Sequence, residues 1–101
     1  MEEIQELVTK LEKEYNLETT SEIRVLDLVS EVGELSKEIL KGNDYGKKQY
    51  EKTPNLENEI GDIMFSLICI ANGMNIDLKQ ALNNVIEKYE KRFGENGHIG
   101  S

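Results

Sequence analysis

Residues 60–71 constrain the fold of this chain more than any other stretch. Ile60, Ile63, Met64, Phe65, Leu67, Ile68, Ile70 and Ala71 leave almost no polar side on a helix drawn through them. A helix that is apolar nearly all round needs protein on every side. Its densest part, 63–71, is about half the roughly 20 residues that a membrane-crossing helix requires. It therefore reads as the centre of a core. One chain of 101 residues has too few other helices to surround it. At least a dimer is expected, with this helix or its neighbour at the interface.

The rest of the chain supplies those neighbours. No run alternates with period two, so strands are not expected, and the 3.6-residue period marks four helices in a single domain spanning 1–101. The first covers about 2–16, with Ile4, Leu7, Val8, Leu11 and Tyr15 on one face. The second covers about 21–41, opened by a Thr19/Glu22 capping-box spacing and closed at Gly42. After a loop carrying Tyr45, Tyr50, Lys47, Lys48 and Lys52, Pro54 suits the first turn of a third helix, about 54–72, ended by Gly73. Asp77 can cap a fourth, about 78–93, with Ala81, Leu82, Val85, Ile86, Tyr89 and Phe93 inward; the tail 94–101, including His98, reads as irregular. Short connections make consecutive helices antiparallel neighbours. The expected fold is an all-α, four-helix antiparallel bundle unit.

Charge narrows the possible partners. Twenty Asp and Glu against twelve Lys and Arg give a net charge of -8. Polymeric nucleic acid and anionic membranes both select clustered cations, so neither is expected as a partner. The start of the chain lacks a basic segment leading into an apolar one, so no secretory signal is read. The lone Cys69 between Ile68 and Ile70 suits a buried, inert thiol. A cytoplasmic protein is expected.

The chemistry lies in two acidic doublets, Glu31-Val32-Gly33-Glu34 and Glu59-Ile60-Gly61-Asp62. Residues three apart share a helix face, so two neighbouring helices can converge four carboxylates. Unpaired anions held together repel one another and raise their proton affinities. A divalent cation removes that conflict, and hard oxygen donors without thiolate or imidazole suit Mg²⁺, with Mn²⁺ as substitute. Asp27 and Glu38 extend the stripe and read as solvated or salt-bridged surface. Gly33 and Gly61 sit in mid-helix at about 1 kcal/mol each against alanine, a cost that close helix packing or room for a ligand would explain.

Other chemistries fall away. A di-iron carboxylate bundle needs Glu-x-x-His on facing helices, and His98 is the only histidine. The segment 43–46 lacks the alternating ligands of an EF-hand. No Walker loop and no Ser/His/Asp or Cys/His set can be assembled. Lys88 and Arg92, four apart with Lys91 beside them, form either an ordinary cationic last turn or a stripe able to hold a polyphosphate.

Glu31-x-x-Glu34, 24 residues, then Glu59-x-x-Asp62 resembles the signature of the MazG-like nucleotide pyrophosphohydrolases, in the all-α NTP pyrophosphatase superfamily. The fourth-segment run Glu87-Lys88-Tyr89-Glu90-Lys91-Arg92-Phe93 resembles the family's Lys-x-x-x-Arg segment. The resemblance covers about 22–93. It implies a Mg²⁺-dependent enzyme that cleaves nucleoside triphosphates between the α and β phosphates, working as a homodimer or homotetramer, with a role in clearing unwanted nucleotides. Under that reading Glu31, Glu34, Glu59 and Asp62 hold the metal, Glu34 also orients the attacking water, and Lys88 and Arg92 bind phosphates and stabilise the leaving pyrophosphate. Helix one and the 43–53 loop carry no family signature. Tyr45, Tyr50 and Phe65 could stack on a base, but packing roles are expected for each. The competing reading is a non-catalytic helical dimer that binds nucleotide or a partner protein as a sensor.

Overall fold

The computed structural model describes residues 1–96, and helices are the only regular elements among them: α1 (Glu2–Glu14), α2 (Ser21–Gly42), α3 (Leu56–Gly73) and α4 (Leu78–Asn96). All four expected helices are present, and the differences lie at their ends. Thr20, not Thr19, caps α2, its hydroxyl accepting from the Ile23 N–H at 3.3 Å. Glu22 then falls at the second helical position, too early to close a capping box. Pro54 precedes α3 instead of opening it. Proline keeps Thr53 out of the helical region, and a turn is inserted in which the Leu56 N–H reaches the Thr53 carbonyl at 3.3 Å. Asp77 caps α4 as expected, accepting from the Gln80 N–H at 3.2 Å. That helix runs on through Gly94 to Asn96, so residues 94–96 are helical and not irregular; His98 lies outside the described residues.

The tightest packing joins α2 to α3, which run in opposite directions. Ser21 at the start of α2 lies against Gly73 at the end of α3, so close that a Cβ there would stand 2.7 Å from its Oγ. At the other end Glu38 of α2 meets Asn55, just before α3. Helix α1 lies across the C-terminal half of α3, where Val8, Ile68 and Cys69 form the buried core, with Phe65 and Leu78 against it. Cys69 is buried, as expected, and burial pushes its thiol up to about 11.

Polar contacts fix α1 in place. Gln5 donates to Asn72 Oδ1 and to the Ile76 carbonyl, both at 2.9 Å, and accepts from the Leu78 N–H that starts α4. Asn72 answers with donations to the Gln5 carbonyl and to Thr9 Oγ1. Arg24 ties α2 to α1 through Glu12 at 3.2 Å and to the α1–α2 turn through the Leu17 carbonyl at 2.6 Å. Its guanidinium also lies 5.7 Å over the Phe65 ring.

Helix α4 departs from the expectation. The chain turns through 103° between α3 and α4, after Asn75 adopts a left-handed φ of 56°. The fourth helix therefore leaves the other three instead of folding back along α3. Leu82, Ile86, Tyr89 and Phe93, expected inward, are exposed, Phe93 by 60%. Helix α3 is covered along one side only; Ile60, Met64 and Leu67 face outward. No single helix among the described residues is long and apolar enough to cross a membrane.

Candidate metal centre

The antiparallel α2–α3 pair carries Glu31 from the middle of α2 to the first two turns of α3, where Glu59 and Asp62 share a face. One carboxylate oxygen from each of Glu31, Glu59 and Asp62 lies within 4.8 Å of the others. Glu31 and Glu59 are half-buried and Asp62 is exposed. No lysine or arginine pairs with any of the three among the described residues. The Glu31 carboxyl is consequently held above the usual glutamate range, by burial first and then by the charges of Asp62, Glu59, Glu34 and Asp27. Like charges brought together disfavour ionisation in this way. Three oxygen donors, no nitrogen or sulfur donor and no neutralising side chain fit a hard divalent cation.

Of the four expected carboxylates, three converge. Glu34, one turn beyond Glu31, turns to Lys37 at 3.7 Å, and reaches the trio only through its field on Glu31. Asp27 pairs with Arg24 at 3.6 Å, the salt-bridged role expected of it. Lys88 is exposed, with its Nζ 5.1 Å from the Tyr89 ring centre, and Arg92 is half-buried. Both ride on α4, and neither pairs with an acidic residue among the described residues. A Cβ added at Gly33 or Gly61 would meet no atom within 4 Å. Helix packing within the chain therefore does not explain these glycines.

Glu38 is where the surface reading fails. It is buried to 7% exposure, held by Thr53 Oγ1 at 2.8 Å and by Lys41 Nζ and Asn55 Nδ2 at 3.4 Å each. The Thr53 hydroxyl above all, with help from Asn55 and Lys41, keeps this carboxyl below the usual range against the opposing effect of burial. Acidic spacing along α2 could not show this, because the donors arrive from a segment 15 to 17 residues away. Among the aromatic candidates, Phe65 packs on the core and Tyr50 packs against Gly42.

Among the described residues the structure is all-helical, and its paired helices α2 and α3 bring three carboxylates to one point. Residues 19–95 match the MazG nucleotide pyrophosphohydrolase domain, and the chain belongs to that family. It is also similar to YpjD of Bacillus subtilis (strain 168), an uncharacterized protein, with 40% identity over 68 residues. The alignment covers 64% of this chain and 60% of that relative, so the chain spans less than two thirds of the relative's length. No solved structure matches the chain.

Proposed function

We propose that the protein is a Mg²⁺-dependent nucleoside triphosphate pyrophosphohydrolase that cleaves between the α and β phosphates, releasing a nucleoside monophosphate and pyrophosphate. The observation that carries this reading is the convergence of Glu31, Glu59 and Asp62 in a chain of the MazG family. These three carboxylates would hold Mg²⁺, or Mn²⁺ in its place. When bound, the cation supplies neutralisation of phosphate charge and polarisation of the bond to be cleaved. Phosphoryl transfer asks the protein chiefly for positioning and electrostatics.

Glu34, outside the trio yet close enough to act on Glu31, would orient the attacking water or take its proton on exchanging its contact with Lys37. Lys88 and Arg92 bind the phosphates and stabilise charge on the departing pyrophosphate. Helix α4 leaves the α2–α3 pair in the single chain, so this role places them at the site in a homodimer or homotetramer that also completes the four-helix bundle. The exposed apolar residues Leu26, Val29, Ile60, Met64 and Leu67 suit such an assembly. A house-cleaning role in the cytoplasmic nucleotide pool follows from the same reading.

Pyrophosphate release is the test, measured over a panel of canonical and modified nucleoside triphosphates with Mg²⁺ and with EDTA. Mg²⁺-dependent release with monophosphate as co-product is expected, and Glu59→Ala should abolish it while the helical content stays. A folded protein silent across the whole panel would replace this reading with a nucleotide- or partner-binding sensor.

A further inference from the structure

Glu59 differs from the other two members of the trio in having a hydrogen-bond donor of its own. Asn55 Nδ2 donates to Glu59 Oε1 at 2.8 Å. The same nitrogen lies 3.4 Å from Glu38 Oε1, and Asn55 Oδ1 accepts from Asn58 Nδ2 at 3.3 Å. Carboxylates have only acceptors to offer, so the nitrogen end of the amide must face both of them. Asn55 stands at the N-cap of α3, where asparagine is favoured because its side chain can accept from the helix N–H groups. Here it makes no such bond. Its two amide hydrogens serve carboxylates on two different helices instead.

What stands behind Asn55 is held by several contacts. Glu38 is buried and held by Thr53 Oγ1. The returning chain is closed onto the end of α2, where the Glu51 N–H donates to the Gly42 carbonyl at 2.8 Å. A Cβ on Gly42 would come within 2.6 Å of the Glu51 carbonyl oxygen, so the two segments are in direct contact. The line Glu38–Asn55–Glu59 thus ties a carboxylate of the trio on α3 back to α2, the helix that carries Glu31.

We propose that Asn55, anchored by the buried Glu38, is a positioning residue that aims the Glu59 carboxylate at the cation centre. This rests on the metal-centre reading of the trio. Partners of this kind, which orient a ligand without touching the metal, change metal affinity by roughly 10–100-fold when removed. Loss of the Asn55 amide leaves Glu59 free to rotate into solvent, and the cation must then restrain it on binding.

The test is Mn²⁺ binding to the full chain, followed from the electron paramagnetic resonance of free Mn²⁺, in wild type, Asn55→Ser and Asn55→Ala. Serine loses the amide and its donation to the buried Glu38, so Asn55→Ser should melt somewhat lower than wild type while its helical content is kept. Its Kd for Mn²⁺ should rise about tenfold or more. Asn55→Ala should weaken binding to the same extent. Glu38→Leu, which takes away the acceptor that Asn55 donates to, should move it in the same direction. Wild-type affinity in both Asn55 variants would overturn the positioning role and leave the centre standing. No saturable Mn²⁺ binding by the wild type itself would overturn the centre, and the positioning role with it.

Discussion

Glu31 and Glu38 lie seven residues apart on the same helix, and their surroundings drive them in opposite directions. Glu38 is the more buried, yet its carboxyl is held low, because a hydroxyl, an amide and an ammonium all donate to it. Glu31 is the more open, yet its carboxyl is held high, because its neighbours are other carboxylates. Depth alone therefore does not set the state of a carboxylate; the donors facing it do. The first arrangement is complete within the chain. The second has no cationic side chain to balance it among the described residues, which is why the proposed cation is placed there.

The largest effect expected from breaking this contrast comes from Glu31→Gln. Removing one charge from the trio should lower turnover by more than the roughly 100-fold that loss of a supporting contact costs. In metal-free protein the same change should raise the melting temperature, because one source of repulsion is gone. Pyrophosphate release checks the first half, and differential scanning fluorimetry in EDTA checks the second. A melting temperature that falls in EDTA would break the comparison.

On the Glu38 side, Gly42→Ala should destabilise the protein by about 1–3 kcal/mol, the usual cost of overpacking. The added methyl would collide with Tyr50 and the Glu51 carbonyl. A denaturant midpoint lowered at constant slope is the expected readout.

The pH dependences should have opposite signs. Glu38 has its folded pKa lowered, so its contribution is present above the usual glutamate value and is lost as pH falls through the folded one. Glu31 has its folded pKa raised, so without metal its effect appears as stability lost while pH rises from the usual value through the raised one. Stability curves of Glu38→Gln and Glu31→Gln against wild type, taken in EDTA between pH 3 and 7, separate the two. The smallest effect is expected from Lys37→Ala. The pair it forms with Glu34 is exposed on both sides, so stability should change by less than about 0.5 kcal/mol. Turnover should also hold if Glu34 orients water without help from Lys37.

Much of this was legible in the sequence, for reasons that can be located. Glu59 and Asp62 sit three apart on one helix, and spacing alone places them together. Glu31 joins them because two long apolar helices on either side of a loop had to pair. Asp77 announced its cap. Helix α4 was not legible, since a short connection says how far a helix can go and not at what angle; the left-handed Asn75 and the Gln5–Leu78 contact decide that. Glu38 was missed because Thr53 and Asn55 reach it from 15 and 17 residues away, which helical periodicity does not carry; Asn55 stands only four residues before Glu59, but that spacing does not show an N-cap side chain forgoing its cap to donate there. Glu34 has a helix position that matches the trio, but spacing does not choose between neighbours, and its side chain turns to Lys37 three residues on.

The bond between Gly42 and Glu51 also has an evolutionary consequence. It ties the two ends of the intervening segment together, with Asp44, Tyr45 and Gly46 turning at positive φ between them. Loop length enters stability only logarithmically, about 0.6 kcal/mol for each doubling. Residues 44–49 can therefore be lengthened, shortened or replaced without transmitting the change to α3. Lineages of this chain would be free to vary this loop while keeping the α2–α3 pair that carries the three carboxylates, and a library of insertions after Gly46 should yield folded proteins far more often than one made after Thr53.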